Sequence, residues 1–265
     1  MKDIKCKICG SHSQIFDSAT VLYKYVVNYY HCSVCGFVQT NEPHWLEEAY
    51  SEAIAAMDTG IVSRNISNAN NLCFLMKFIP NGVCMDFGGG SGMLTRLMRD
   101  YGFDFYHYDK YAKNEFARGF EADLNKKYAL ITAFENFEHY VNPMEEIDCL
   151  LKNTDVLFFS TELVAPNPQL INDWWYYAPQ TGQHISFYSY DTLSFIAKKH
   201  NCHLLSNGFN LHFLTKQPLR EDIFILLKKY NKKRDKSDIT RKFIKPSKTW
   251  DDFLLIKNTG KDVIL

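Results

Sequence analysis

A chain of 265 residues with 46% apolar side chains can bury the core of one large domain, or of a core with an appendage. Thirty Lys plus Arg balance thirty Asp plus Glu, so no global field draws the protein to nucleic acid or to an anionic membrane. No apolar run reaches the ~20 residues that cross a bilayer, and the opening MKDIKCKICG has no signal-peptide core, so no membrane span and a cytoplasmic location are expected.

The first elements are cysteine knuckles. CKICG and CSVCG place Cys6, Cys9, Cys32 and Cys35 in two C-x-x-C pairs, each followed directly by Gly. Four thiolates close a tetrahedral Zn2+ shell, and the glycines let the backbone turn so that amide N–H groups face sulfur. A closed shell leaves no position for substrate, so the expected zinc is structural. A redox pair is the competing reading, but it calls for one C-x-x-C opening a helix in a larger α/β domain. His12 and His31 read as bystanders to a complete cysteine set. The intervening VLYKYVVNYY has the β-branched and aromatic composition of ribbon strands, which gives a zinc ribbon over residues 1–40. Cys73, Cys84, Cys149 and Cys202 sit singly among apolar neighbours and read as packing thiols.

Residues 41–79 carry two helical patterns, expected to act as a lid or linker. Pro43 suits a first helical turn, with Trp45, Leu46, Ala49, Tyr50, Ala53 and Ile54 on one face. The second pattern runs through Ile66, Ala69, Leu72, Cys73, Met76 and Ile79.

Next come an apolar strand, GVCMDF, a glycine loop, and a helix, MLTRLMRDYG, with Leu94, Leu97 and Met98 at helical spacing. A dinucleotide fingerprint starting at Gly88 and Gly90 would need its third glycine at Met93, and a phosphate loop would need a lysine that is absent. What remains is acidic-x-G-x-G-x-G, carried by Asp86, Gly88, Gly90 and Gly92. FDFYHYD reads as the next strand, ending in Asp109, whose carboxylate suits a pair of ribose hydroxyls. A strand from Tyr128 to Phe134 follows, continuing into Glu135, Glu138 and His139. Asn142 and Pro143 cap the helix MEEIDCLLKN, DVLFFSTEL supplies another strand, and Asn207-Gly208 joins two apolar runs as a hairpin.

This succession resembles the class I S-adenosylmethionine-dependent methyltransferases over roughly residues 60–217. The resemblance implies an α/β, Rossmann-like sheet, mostly parallel with an antiparallel strand near the C-terminal edge, built from residues 80–217. It implies cofactor contacts from Asp86, Gly88, Gly90, Gly92, Asp109, Phe134 and Glu135, the carboxylates suiting a ligand with an ammonium and a sulfonium. One departure is Ala129, where family members often carry Asp. More narrowly, the order of knuckles, HWLEEAYS, DTG, SRN, glycine loop and TGQHISFYS is similar to bacterial methyltransferases of sugar and surface-polysaccharide biosynthesis. Asp58, Thr59, Gly60, Arg64 and Asn65 then form a lid with Arg64 facing the cofactor carboxylate, or else a solvated capped helix.

Methyl transfer is an in-line displacement that depends on alignment and dehydration, and the acceptor must lose a proton. In an α/β sheet the reacting groups lie on loops at the carboxyl ends of strands, and the long insert over residues 163–189 is expected to take the acceptor. His184 is the expected general base, with Glu162 and His139 in reserve. Trp174, Trp175, Tyr176 and Tyr177 suit stacking on a sugar or base, although adjacent side chains cannot all face one way. The C-terminal extension, residues 218–265, begins as an amphipathic helix that turns basic around Lys228 to Lys236. That stretch reads as a solvated face, or as a contact for a diphosphate or an RNA backbone. TWDDFLLIK is expected to pack back as a last helix.

The leading expectation is an enzyme methylating a small sugar-type acceptor. Two alternatives accompany it: an RNA base methyltransferase with an N-terminal zinc module, and a non-catalytic zinc-ribbon protein with a degenerate core. Balanced charge and the absence of an Asn/Asp-Pro-Pro-Tyr segment argue against the first, and the intact acidic and glycine positions against the second.

Overall fold

A computed structural model of the chain describes residues 4–51, 58–234 and 239–259; Ala53, Ile54 and Lys236 lie outside them. In chain order the strands and helices are β1 (Ile4–Lys5), β2 (His12–Val21), β3 (Tyr25–His31), β4 (Val38–Thr40), α1 (Leu46–Ala49), α2 (Ile61–Leu75), β5 (Cys84–Phe87), α3 (Met93–Asp100), β6 (Phe105–Tyr108) and β7 (Leu130–Ala133). They continue with α4 (Pro143–Asn153), β8 (Val156–Ser160), β9 (Ser186–Phe187), α5 (Tyr190–Lys199), β10 (His203–Ser206), β11 (Leu211–Thr215), α6 (Ile223–Arg234) and α7 (Thr249–Thr259). Two compact units are drawn from discontinuous stretches. One comprises residues 1–55, 133–152 and 157–217, the other 56–132, 153–156 and 218–265.

The fold class is α/β, with a six-stranded mixed sheet of mostly parallel strands. In the second unit β5 pairs in parallel with β6 on one side and β7 on the other, Cys84 standing opposite both Phe105 and Leu130. Every residue of β5 and of β7 is buried. That is why these runs read as continuously apolar instead of alternating. Helix α3 buries Leu94, Thr95, Met98 and Arg99. Arg99 is also the anchor for α7: its Nε and Nη2 donate to the two oxygens of Asp252 at 2.8 and 2.6 Å, and its guanidinium lies 3.7 Å from the Phe120 ring centroid. A buried pair of this kind is specific because removing either member strands the other charge. The last helix thus packs back as the sequence suggests. Helix α2 carries its apolar face through Ala69, Leu72, Cys73 and Leu75, but Ile66, expected on that face, is 45% exposed. Met76 caps the helix and Ile79 is buried beyond it.

In the first unit, β1, β2, β3, β4 and β9 form a five-stranded antiparallel sheet in that order. The knuckle ribbon therefore recruits a strand from the long insert, with Val38 opposite Phe187 and Gln39 opposite Ser186. One apolar cluster joins both stretches: Val27, Tyr29, Val38 and Trp45 pack with Val164, Ile171, Tyr176, Tyr177 and Phe187. Trp45 donates Nε1–H to the Gly182 carbonyl at 2.8 Å, so α1, although only four residues long, is pinned by a buried indole. Helix α5, absent from the sequence reading, starts at a capping box in which Ser189 and Thr192 satisfy each other's backbone. Strands β10 and β11 make the hairpin expected at Asn207-Gly208, but its loop has four residues, held by Asn207 Oδ1 accepting from the N–H groups of Phe209, Asn210 and Leu211.

Candidate functional site

The four knuckle sulfurs come together. Cys6 and Cys35 lie 3.5 Å apart, as do Cys9 and Cys32, and all four sulfurs fall within 4.8 Å of one another. Zinc–sulfur bonds of ~2.3 Å set tetrahedral edges of roughly 3.8 Å, so the set fits a structural Zn2+. Each knuckle closes through a backbone bond, Gly10 N–H to the Cys6 carbonyl at 2.9 Å and Gly36 N–H to the Cys32 carbonyl at 2.8 Å. Both glycines are left-handed, φ 77° and 73°, and a Cβ on Gly36 would collide with Ser189. The Cys35 carbonyl accepts from the hydroxyls of Ser189 and Thr192, at 3.2 and 2.7 Å, which fastens the second knuckle to the start of α5. Burial pushes the Cys73 and Cys84 thiols up to about 12, so these stay protonated packing residues.

In the second unit the glycine loop follows β5 and enters α3. Gly88, Gly90 and Gly92 are all left-handed, with φ of 68°, 56° and 82°. Gly88 and Gly89 donate to the Tyr108 carbonyl at 2.8 and 3.1 Å, which ties the loop to the end of β6. Asp109 completes that tie: Oδ2 accepts from Gly90 N–H at 2.9 Å, while Oδ1 accepts from the N–H groups of Tyr111 and Ala112, both at 2.7 Å. His107 Nε2 lies 2.9 Å from the Gly90 carbonyl, so Gly90 is held at both its backbone N–H and its carbonyl. A Cβ on Gly90 would meet nothing within 4 Å, whereas one on Gly89 would strike Asp86 and His107. The loop is therefore packed on one side and open on the other, which is the form that a cradle for the methionyl end of a nucleoside cofactor requires.

Asp86 lies beneath the loop, 2% exposed. Its carboxylate accepts from Thr132 Oγ1 at 2.8 Å and from Thr95 Oγ1 at 3.4 Å. Burial pushes its pKa up to about 7, against the lowering effect of the threonine bonds. Arg64, on the first turn of α2, makes an ion pair with Asp58, Nη2 to Oδ2 at 2.6 Å.

In the first unit Phe134 and Glu135 follow β7. Glu135 is left-handed, φ 50°, a costly conformation for a residue with a side chain. Ser160 over-determines it: its hydroxyl donates to Glu135 Oε1 and accepts from Glu135 N–H, each at 2.7 Å. The short 3-10 turn Phe137–His139 then brings Glu138 and His139 to His184. The two imidazoles meet edge to face with centroids 5.0 Å apart. His184 donates Nδ1–H to the Tyr176 carbonyl at 2.6 Å, and burial lowers its pKa to about 4. His139 Nδ1 lies 3.0 Å from the Gln183 carbonyl and 2.9 Å from the Tyr50 hydroxyl. Glu138 is fully buried. Burial, then the charge of Glu135, push its pKa well above the carboxylate range. Glu162 is raised too, by burial first.

The aromatic run divides as its adjacency demands. Tyr176 and Tyr177 are 1% and 0% exposed and belong to the apolar cluster, with Trp174 packed against it. These two tyrosines, candidates for ligand stacking in the sequence, are the packing part of the run that adjacency requires. Only Trp175, 74% exposed, presents its ring to solvent. Sequence reasoning also missed Gly89, His107, Thr95 and Thr132 around the loop, and Ser160 beside Glu135. Gly89 was visible as the middle of a glycine triplet; the others are meetings between separate strands and helix α3 that carry no local signal.

Residues 64–207 match the family model described as methyltransferase domain. No curated protein matches the chain. Among solved structures the chain is similar to an O-methyltransferase family protein from Burkholderia thailandensis, with 12% identity and a TM-score of 0.51 over 65% of this chain and 63% of that one. It is also similar to mitomycin 7-O-methyltransferase, with 11% identity and a TM-score of 0.48 over 65% and 60%. A third is magnesium protoporphyrin IX methyltransferase from Synechocystis PCC 6803, with 13% identity and a TM-score of 0.43 over 64% and 90%. The chain spans less than two thirds of the length of the first two. At such identities the likeness is one of fold, carried by the first. No helix among the described residues is long and apolar enough to cross a membrane.

Proposed function

The chain belongs to the family of this methyltransferase domain, and from that premise we propose that it is an S-adenosylmethionine-dependent methyltransferase acting on a small sugar-type acceptor. The observation that carries the cofactor assignment is the glycine loop, open at Gly90 and held from below by Asp86 and from the end of β6 by Asp109. When bound, S-adenosylmethionine supplies an electrophilic methyl group on a positively charged sulfur.

Gly88, Gly90 and Gly92 are proposed cofactor contacts; Gly90 borders open space that a side chain would fill, whereas a Cβ on Gly92 would meet Asn114 and Ala117. Asp109 Oδ2 spends one lone pair on Gly90 N–H and retains another for a ribose hydroxyl. Asp86 acts one step removed, by fixing the loop's floor through Thr95 and Thr132. Phe134, Glu135 and Arg64 remain proposed cofactor contacts. Glu135 is the best prepared of them, because its strained backbone is locked by Ser160.

His184 is the proposed base. A carbonyl only accepts, so Nδ1 carries the proton and Nε2 holds the lone pair that an acceptor hydroxyl can use. His139 and Glu162 are the reserves. Trp175 offers its exposed ring to the apolar face of a sugar. The zinc knuckles serve as a structural staple whose closed sulfur shell takes no part in chemistry.

Incubating the purified chain with methyl-labelled S-adenosylmethionine and a panel of nucleotide-sugars tests the reading. Label is expected in at least one sugar and in no RNA; label in RNA alone would replace the acceptor class, and label in neither would remove it.

A further inference from the structure

Glu138, His139 and His184 each place a ligand atom within 4.8 Å of the other two. We propose that these three residues form a second metal site, for a divalent transition cation of the zinc or cobalt kind, separate from the four-cysteine centre. Two histidines and one carboxylate are a donor set for such ions that leaves coordination positions open.

Two independent observations point to a ligand at this place. The first is Glu138 itself: both oxygens are fully buried and neither has a hydrogen-bond partner of ordinary geometry. A buried carboxylate left this way is costly, and a bound cation is one of the few things that removes the cost. The second is how the rings are held. His184 is tied through Nδ1 to the Tyr176 carbonyl, and His139 is tied through Nδ1 to the Gln183 carbonyl, with Tyr50 at the same nitrogen. Imidazoles that bind metals are oriented by such backbone acceptors on the nitrogen that does not ligate, and for His184 this leaves Nε2 as the donor atom. Glu135 and Glu162 add negative charge around Glu138, which favours a cation further.

Bonds of ~2.1 Å to nitrogen and oxygen set ligands roughly 3 to 3.4 Å apart, so the three side chains close in by about 1.5 Å when the ion enters. The inference concerns binding, and it competes with the proposed base for one lone pair, that of His184 Nε2. Where both hold, His184 would act as a ligand, the cation would supply charge that acidifies an acceptor hydroxyl, and Glu162, the remaining reserve, would take the proton.

The test uses the full chain purified with zinc on its cysteines and freed of excess metal, then titrated with Co2+. One cobalt ion per chain is expected, with d–d absorption and without the thiolate charge-transfer band that cobalt on the four cysteines gives. Glu138→Gln and His184→Gln should each weaken this uptake by ~10-fold or more, while zinc content and circular dichroism stay as in the parent. Absence of uptake by the parent protein, uptake that His184→Gln leaves unchanged, or bands of thiolate character alone would overturn the site. None of these outcomes depends on turnover, so methyl transfer stands or falls separately.

Discussion

The Nδ1–H of His184 is given to the Tyr176 carbonyl at 2.6 Å, which makes one imidazole tautomer the resident form. With its pKa lowered from 6.5 to about 4 by burial, His184 is neutral across the physiological range. His184→Ala is expected to reduce kcat by about 10²- to 10⁴-fold with little change in KM for the cofactor. The acid limb of the parent's kcat profile should fall near pH 4 and not at the 6.5 of a solvated imidazole. The same shift has a stability sign: the unfolded chain takes up this proton first, so the contribution is full above 6.5 and lost as pH falls towards 4. A limb at the solvated value would show that the titrating base is a different, exposed group.

Asp86 predicts the opposite trend. Its carboxyl is raised from 3.8 to about 7, so the folded state holds the proton more tightly than the unfolded one. Stability from this group is full below 3.8 and drains away as pH rises to about 7, by up to ~4 kcal/mol. Asp86→Asn keeps an acceptor for Thr132 and carries no charge to bury. Its stability relative to the parent should climb across that interval in urea titrations; a flat difference would mean that the carboxylate is better solvated than its burial implies.

The knuckle glycines give a third expectation. Gly36→Ala places a side chain in a left-handed backbone and against Ser189, at a cost of about 2 kcal/mol or more. Cys32→Ser should cost more, and should also release zinc and expose β4 and β9 to hydrogen exchange, because the Cys35 carbonyl and the β4–β9 pair lie in one hydrogen-bonded stretch. Exchange unchanged at Val38 and Phe187 after zinc loss would show that the sheet stands without its staple.

What was legible in the sequence were features written within a few residues of one another. The paired knuckles, the strand–glycine–helix succession and the Asn207-Gly208 turn each carry their geometry in their spacing. Ser189-x-x-Thr192 carries a local helix start as well, since the two side chains cap each other's backbone within one turn. The pairing of β9 with β4 was beyond reach: a two-residue strand has no periodicity, and its partner lies almost 150 positions away. Asp86 shows the same limit at the site. Locally it is an acid at a strand end, facing any ligand; only Thr132 on β7 and Thr95 on α3 turn it into the buried floor of the loop.

The most direct test of the account is calorimetric titration of the purified chain with S-adenosylhomocysteine, beside Asp109→Ala. Asp109 holds Gly90, Tyr111 and Ala112 by charged hydrogen bonds, and losing them together with a ribose contact is expected to weaken binding by roughly 10- to 100-fold. One site per chain in the parent and that loss in the variant are the predicted result. No heat of binding in the parent, or equal affinity in the two proteins, would contradict the glycine loop as the cofactor cradle.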